Sequence, residues 1–219
     1  MVALDIISDP FCPWCWIGMT KLDAALAQAS DHPFAMHWRP FQLNPDMPRE
    51  GMDRQSYLSA KFGGPDRARE IYARVEAAAE AAGLDVDFSR MKRTPNTIAA
   101  HRLIRWARQQ NGGEADGGAA AQTLVVTRMF ERYFREGADL GDRDVLTEIG
   151  ELAGMERDLT ATLLASDADL EEVRAEDASA REMGVSGVPT FLIGGKYVVQ
   201  GAQDAETWSR VMAELRTAA

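Results

Sequence analysis

The pattern of apolar and polar residues divides the chain into two ends with strand character and a long helical centre. Residues 2–7 form a short apolar run that contains β-branched side chains, and this run predicts a first strand. Apolar residues at helical spacing over 16–29 predict a helix that begins near Cys12. Alternation over 33–41 predicts a second strand, and the proline-rich run 44–48 ends regular structure there. The N-terminal end is therefore predicted to be β-α-β.

The central part of the chain, from 53 to 183, has the spacing of helices almost throughout. One apolar stripe stops at Gly83, and the sequence NGGEADGG at 111–118 predicts a loop between two later helices. Ser166, with an aspartate three residues on, resembles a capping box and predicts the start of a helix. Gly184 is expected to end that helix in the left-handed conformation.

Strand character returns only near the C-terminus. Two short apolar runs, 190–193 and 197–199, flank a Gly-Gly pair and predict a β-hairpin. Asp204 is expected to cap a final helix whose buried face includes Trp208. The C-terminal end is therefore predicted to be β-β-α.

The order of these elements indicates one α/β domain that is built from both ends of the chain. Residues 1–50 and 184–219 are expected to form this domain, and 51–183 to form an all-helical insertion between its β-α-β and β-β-α halves.

Charge and the N-terminal sequence exclude several classes of function. The chain has 24 Lys and Arg against 34 Asp and Glu, a net charge of −10, so it offers no basic field to nucleic acid. The first residues contain neither a basic n-region nor a long apolar span. A cytoplasmic protein without a membrane or nucleic-acid partner is therefore expected.

The motif Cys12-Pro13-Trp14-Cys15 is the strongest chemical signal, and it holds both cysteines of the chain. Two thiols at this spacing at a helix start can form a small disulfide. The amides and the positive dipole end of the helix favour the Cys12 thiolate, which makes Cys12 the attacking sulfur. Cys15, one turn further in, is expected to stay protonated until it resolves the mixed disulfide that Cys12 forms with a substrate.

A zinc site is the other common use of such a motif. It needs two further soft ligands, and the chain offers only three histidines and no other cysteine. No metal is therefore expected.

Four segments together resemble the DsbA-like branch of the thioredoxin superfamily, and within it the FrnE-like cytoplasmic members. They are SDPFCPWCWIG at 8–18, PFQLNP at 40–45, the pair Asn96-Thr97 with AHRL at 100–103, and GVSGVPTF at 184–191. The resemblance covers nearly the whole chain. It implies a thioredoxin fold that carries the helical insertion.

The resemblance also implies roles for residues outside the CxxC motif. Pro189 is expected to follow a cis peptide bond opposite the cysteines and to leave the backbone of Val188 free to pair with a substrate. Many relatives carry an acidic group beneath the site, and Asp5 is the candidate here for relaying a proton to Cys15. His101 is a candidate for a direct role, although a histidine that lies at the surface or has its hydrogen bonds satisfied is the commoner case.

Three aromatic residues border the motif. Phe11 and Trp14 are expected to be exposed and to form an apolar docking surface for substrate, whereas Trp16 is expected to lie in the core.

The expected activity is thiol–disulfide exchange with protein or small-thiol disulfides, with no built-in cofactor and a redox partner that the sequence does not identify. The main alternative is a glutathione-dependent reaction, because 2-hydroxychromene-2-carboxylate isomerases and kappa-class glutathione transferases share the architecture. Glutathione as co-substrate could then lie across Val188 and Pro189, with its γ-glutamyl end at Gln203-Asp204. A non-catalytic redox sensor or chaperone is a third hypothesis, and formation of a homodimer stays open.

Overall fold

The computed structural model describes residues 1–29, 31–109 and 115–218. Its elements, in chain order, are β1 (Val2–Ser8), α1 (Pro13–Gln28), β2 (Phe34–Pro40), β3 (Met52–Asp53), α2 (Arg54–Phe62), α3 (Pro65–Ala81), β4 (Arg93–Thr94), α4 (Ile98–Ala107), α5 (Ala115–Phe134), α6 (Arg143–Leu152), α7 (Arg157–Ala165), α8 (Leu170–Glu182), β5 (Thr190–Ile193), β6 (Tyr197–Gln200) and α9 (Ala205–Ala218).

The four long strands form one sheet in the order β2-β1-β5-β6. β1 runs parallel to β2, with Asp5 opposite His37, and antiparallel to β5, with Ile6 opposite Phe191. The predicted hairpin between β5 and β6 is confirmed, and Gly194 and Gly195 turn it with φ of 57° and 67°. Because a parallel pair needs a crossover, α1 connects β1 to β2 over one face of the sheet.

Both faces of the central strand β1 are covered. Leu4 and Ile6 lie in the main core together with Trp208 of α9, which packs beside α1. Ile7 points to the opposite face and packs with Phe41 and Ala180 of α8. A strand that is buried on both sides is continuously apolar rather than alternating, as residues 2–7 largely are.

The segment between β2 and β5 is helical with one exception. The expectation of an all-helical stretch over 51–183 is corrected by a two-stranded sheet, in which Met52 pairs with Thr94 and Asp53 with Arg93. This pair ties the start of α2 to the segment that follows α3. Ladders of two residues carry no hydrophobic period, so the sequence pattern gave no sign of them.

Two helix boundaries also differ from the prediction. Helix α8 begins at Leu170, with Asp169 as its N-cap at φ 55°, so Ser166 is not the cap. Helix α5 already begins at Ala115, inside the predicted loop 111–118, while residues 110–114 lie outside the described part of the chain. The left-handed conformation predicted for Gly184 is confirmed at φ 90°.

Aromatic packing joins the helical centre to the sheet domain. Trp16 of α1 stacks on Phe130 and Phe134 of α5, with ring centroids 6.1 and 5.6 Å apart. The two parts therefore share one core, which fixes the N-terminus of α1 from both sides. Within the described ranges, no helix combines the length and the apolar character needed to cross a membrane.

Candidate active site

The two cysteines lie at the N-terminus of α1. Cys12 is the N-cap residue in an extended conformation, and Pro13 occupies the first turn, where its missing N–H costs nothing. The Cys12 amide donates to the Asp9 carbonyl at 2.9 Å, and the Cys15 amide donates to the Cys12 carbonyl at 3.0 Å. Both side chains are free thiols. This tight turn holds the sulfurs at the helix end.

The N-terminus of α1 presents its amides at Cys12. The first turn of α1 contains no acidic residue and no side chain that caps the amides, so no other anion competes for them. The Cys12 Sγ lies 3.8 Å from the carbonyl oxygen of Val188, within reach of an S–H donor. The Cys12 sulfur and the segment before β5 therefore lie next to each other, which is the placement that the sequence predicts.

Cys15 has the opposite environment. It is fully enclosed, and burial raises the pKa of its thiol well above the usual value, with a hydrogen bond and charge from Cys12 adding to the rise. The hydroxyl of Ser8 and the backbone amide of Asp9 act in the other direction and lower this pKa. The thiol of Cys15 is therefore protonated at neutral pH.

The Val188–Pro189 peptide bond is cis, and Pro189 packs directly against α1. A glycine at position 18 makes this packing feasible: a Cβ there would lie 2.9 Å from Cγ of Pro189 and 3.4 Å from Cα of Ala202. Any larger side chain would push the proline segment away from the helix, and with it the Val188 carbonyl. Gly18 is a site residue whose packing role was not predicted from the sequence, where it is only the last residue of the segment 8–18.

The aromatic residues around the motif divide differently from the prediction. Trp14 is 40% exposed and Trp16 is 4% exposed, as expected. The prediction that Phe11 is exposed is wrong. Phe11 is buried and packs edge-on against Tyr57 and Tyr133, with ring centroids 5.9 and 6.3 Å apart. Only Trp14 of the two predicted docking residues presents an apolar surface beside the sulfurs.

Asp5 is not beneath the sulfurs, so its predicted placement is corrected. It lies three residues before the end of β1 and accepts a hydrogen bond from Nε of Arg39 at 2.8 Å, with Nδ1 of His37 at 3.7 Å. Its side chain shares the sheet face of Ile7, where α8 packs, rather than the face of α1.

Asp9 is a buried carboxyl group in the turn that leads into the CxxC motif. It is 1% exposed and accepts hydrogen bonds from the amides of Leu43, at 2.8 Å, and Phe11, at 3.5 Å. Burial raises its pKa from 3.8 to about 7 against these hydrogen bonds, and the charge of Asp177 adds to the rise. The sequence signal for it was present, since Asp9 belongs to the turn that leads directly into the CxxC motif.

His101 is the partner of Asp9. Its Nε2 lies 3.7 Å from Oδ1 of Asp9, is buried, and forms no hydrogen bond with any described residue. Burial lowers the pKa of the imidazole to about 4, while the charge of Asp177 and the Phe41 carbonyl oppose this. At neutral pH the imidazole is therefore neutral, and its Nε2 faces the Asp9 carboxyl group.

We expect replacement of Asp9 by asparagine to give the protein a new pH dependence of stability. The folded pKa of Asp9 is raised, so its ionisation destabilises the fold as pH rises from 3.8 to about 7. The folded pKa of His101 is lowered, so its protonation destabilises the fold as pH falls from 6.5 to about 4. In the wild type the two slopes oppose each other between about pH 4 and pH 6.5. In Asp9→Asn the free energy of unfolding should rise by about 2 kcal/mol from about pH 5 to pH 7, relative to the wild type.

Urea unfolding at several pH values measures this difference, because all other carboxyl groups contribute equally to both proteins. The double variant Asp9→Asn/His101→Gln is expected to lose the added slope. Parallel pH profiles of Asp9→Asn and the wild type would contradict the assignment of the buried pair.

The model of the family described as DSBA-like thioredoxin domain matches residues 3–213. The chain belongs to this DSBA-like family. The thioredoxin fold with its helical insertion, expected from the sequence, is thereby confirmed.

Solved structures of other proteins have the same fold as this DSBA-like chain. A probable DsbA oxidoreductase from Streptomyces coelicolor is 26% identical, with a TM-score of 0.84 over 99% of this chain and 91% of that one. A 2-hydroxychromene-2-carboxylate isomerase shares the fold at 17% identity, with a TM-score of 0.69 over 98% of this chain and 96% of that one. The cytosolic disulfide reductase DsbM from Pseudomonas aeruginosa also shares it, at 19% identity and with a TM-score of 0.67 over 99% of this chain and 100% of that one.

The remaining predicted site residues of this DSBA-like chain lie at the last helix. Asp204 caps α9 by accepting from the Thr207 amide at 2.8 Å, and Gln203 donates to the Gln200 carbonyl at 2.7 Å. Both follow Ala202, which packs against Gly18. Among the described residues, no cluster of His, Cys, Asp and Glu side chains has the arrangement of a metal site.

Proposed function

We propose that the protein is a thiol–disulfide oxidoreductase that exchanges electrons between the Cys12/Cys15 dithiol and disulfides of proteins or small thiols. One observation carries the proposal: Cys12 caps a helix 3.8 Å from the Val188 carbonyl, with the buried thiol of Cys15 one turn behind it. Membership of the DSBA-like family supports it.

The reaction runs in two displacements. The Cys12 thiolate attacks one sulfur of a substrate disulfide, forms a mixed disulfide and releases the first substrate thiolate, which takes up a proton. Cys15 then loses its proton and attacks Sγ of Cys12, which releases the second substrate thiol and leaves a Cys12–Cys15 disulfide. Two electrons have passed to the substrate, and a dithiol or two small thiols restore the reduced protein.

The environments of the two sulfurs fit this order. Cys12 lies at the helix amides, which stabilise a thiolate as attacker and as leaving group. Burial raises the pKa of Cys15, so Cys15 does not compete for the substrate. The Ser8 hydroxyl and the Asp9 amide, which lower that pKa, stabilise the Cys15 thiolate when it forms. The carbonyl of Val188 is the backbone acceptor beside the sulfur at which an extended substrate segment can pair.

We also propose glutathione as a co-substrate and the cytoplasm as the compartment, where two glutathione molecules can supply the electrons. The support is the shared fold of DsbM, which is named a cytosolic disulfide reductase and has also been solved with glutathione. The protein itself supplies the chemistry of its two cysteines and needs no built-in cofactor.

A Cys15→Ala variant is expected to accumulate mixed disulfides at Cys12 in cell extract, because the sulfur that resolves them is missing. Mass spectrometry of the captured species, with and without a reducing agent, identifies protein clients or glutathione. The matched control is Cys12→Ser/Cys15→Ala, which should capture nothing. Equal capture by the control, or no adduct on Cys15→Ala, would overturn the proposal.

The shared fold of the 2-hydroxychromene-2-carboxylate isomerase keeps a glutathione-dependent isomerase as the second candidate. Retention of both thiols favours the redox reaction. Glutathione binding to the Cys12→Ser/Cys15→Ser variant separates the two, since tight binding without either sulfur would favour the isomerase. A non-catalytic redox sensor is distinguished by a wild type that fails to turn over a model disulfide.

A further inference from the structure

Arg54 is an arginine that the fold buries at a fixed position. It is the first residue of α2 and only 5% exposed. Its amide donates to the Lys92 carbonyl at 3.0 Å, and the neighbouring Asp53 pairs with Arg93 in the small sheet. The backbone on which this side chain stands is therefore held by both β3 and the segment leading into β4.

The guanidinium of Arg54 has no carboxylate partner among the residues that the structure describes. One nitrogen donates to the Tyr133 hydroxyl at 3.3 Å, and the group lies over the Tyr72 ring, 5.0 Å from its centroid. Buried charges in proteins are as a rule paired with an opposite charge. A guanidinium has five N–H donors in a planar fork that matches a carboxylate, so Arg54 retains donors for an anion.

The Arg54 side chain lines a cavity. A volume of about 480 Å³, within the range of small-molecule sites, lies between α2, α3 and the segment 88–92. Arg54 is part of its wall. The apolar wall is formed by these side chains: Leu58, Ala68, Tyr72, Phe88 and Met91. Tyr72 and Phe88 meet edge-to-face with ring centroids 4.8 Å apart, so the two rings form an aromatic corner of the cavity.

The other charged residues of the wall are exposed or already engaged. Arg69 is bonded to Asp66, Lys92 donates to the Ser89 carbonyl, and the carboxylate of Asp53 accepts from the Ser56 amide. Glu76 lies at the exposed rim. Arg54 is thus the buried cation of this cavity, in a chain whose net charge of −10 gives no general attraction for anions.

We propose that this cavity binds a small aromatic carboxylate, with the carboxylate on the guanidinium of Arg54 and the ring against Tyr72 and Phe88. The site is separate from the thiols and does not depend on the proposed redox function. It is nevertheless close to them, because Tyr133, which accepts from Arg54, packs against Phe11, the neighbour of Cys12. One layer of aromatic side chains, Tyr133 and Phe11, would separate a ligand in this cavity from the sulfur of Cys12.

Titration calorimetry with trans-cinnamate tests the proposal on the full-length protein. Cinnamate is expected to bind with one site per chain, and the neutral isostere cinnamamide at least tenfold more weakly, since only the acid forms the charge-assisted pair with Arg54. Equal affinity for the acid and the amide would overturn the proposal, as would the absence of saturable cinnamate binding.

Variants locate the site. Arg54→Gln is expected to weaken cinnamate binding at least tenfold, whereas Arg69→Gln, on the same wall but paired with Asp66, should stay within twofold of the wild type. Leu58→Trp, which fills the cavity and keeps Arg54, should remove binding of acid and amide alike. It serves as the second variant if circular dichroism shows Arg54→Gln to be unfolded.

A folded Arg54→Gln or Leu58→Trp variant that binds cinnamate as the wild type does would overturn the site. Cys12→Ser/Cys15→Ser should bind cinnamate within twofold of the wild type. A failure of the redox proposal therefore leaves this result unchanged, and loss of binding in that variant would assign the ligand to the thiol site and contradict the separate cavity.

Discussion

Replacing Cys12 by serine is expected to lower the rate of disulfide reduction by roughly 10³-fold or more, as loss of a catalytic nucleophile does. A serine hydroxyl at the helix end is not ionised at neutral pH and is a poor nucleophile towards sulfur. The Val188 carbonyl, 3.8 Å from the sulfur, stays in place, so substrate pairing alone remains. Turnover of a model disulfide with a small thiol as reductant measures the loss.

The matched variant Cys15→Ser should separate attack from resolution. It keeps the sulfur at the helix end, so a single alkylation by iodoacetamide at Cys12 is expected at a rate within about threefold of the reduced wild type. Catalytic turnover should nevertheless fall, because the mixed disulfide is not resolved. If Cys12→Ser retained more than a tenth of the wild-type rate, Cys12 would not be the nucleophile.

Replacing Trp16 by alanine is expected to have the largest effect on stability, a loss of about 3–5 kcal/mol in the free energy of unfolding. The ring is 4% exposed and stacks on Phe130 and Phe134, and Arg135 covers it at 5.2 Å. Truncation leaves a cavity where α1 packs against α5, at the residue that follows Cys15 in the sequence.

Trp14→Ala is the matched control, two residues away on the same helix. Its side chain is 40% exposed, so its loss should cost less than about 1 kcal/mol. Urea unfolding followed by circular dichroism measures both variants. Similar losses from the two tryptophans would mean that the helical centre and the sheet domain do not share the core described above.

Features set by neighbouring residues were predictable from the sequence. The Gly-Gly pair at 194–195 lies between two apolar runs, and the left-handed conformation of the turn costs glycine little. Gly184, at φ 90°, ends α8 for the same reason. The place of Cys12 at a helix start follows from Pro13 and from the stripe that begins with Trp16.

Features that depend on distant pairing were not predictable. The sequence places Asp5 and Asp9 on the same segment, and only the turn after β1 decides that the backbone amide of Asp9 lies beside the Cys15 thiol. Phe11 precedes the motif and is apolar, but its burial depends on Tyr57 and Tyr133, which come from two helices of the centre. Single-sequence patterns describe neighbours along the chain and contain no information about such partners.

The sequence by itself determined the pair of cysteines, the helix that carries them and the order of strands and helices at the two ends of the chain, because each depends on residues within a few positions. The tertiary structure alone decided that Asp9 and His101 lie 3.7 Å apart and that Arg54 is buried in a cavity wall without a described carboxylate partner. Asp9 and His101 are 92 positions apart in the sequence, and the walls of the cavity come from three separate segments. Burial, which shifts the pKa of Asp9 and of His101 in opposite directions, exists only once those segments have packed.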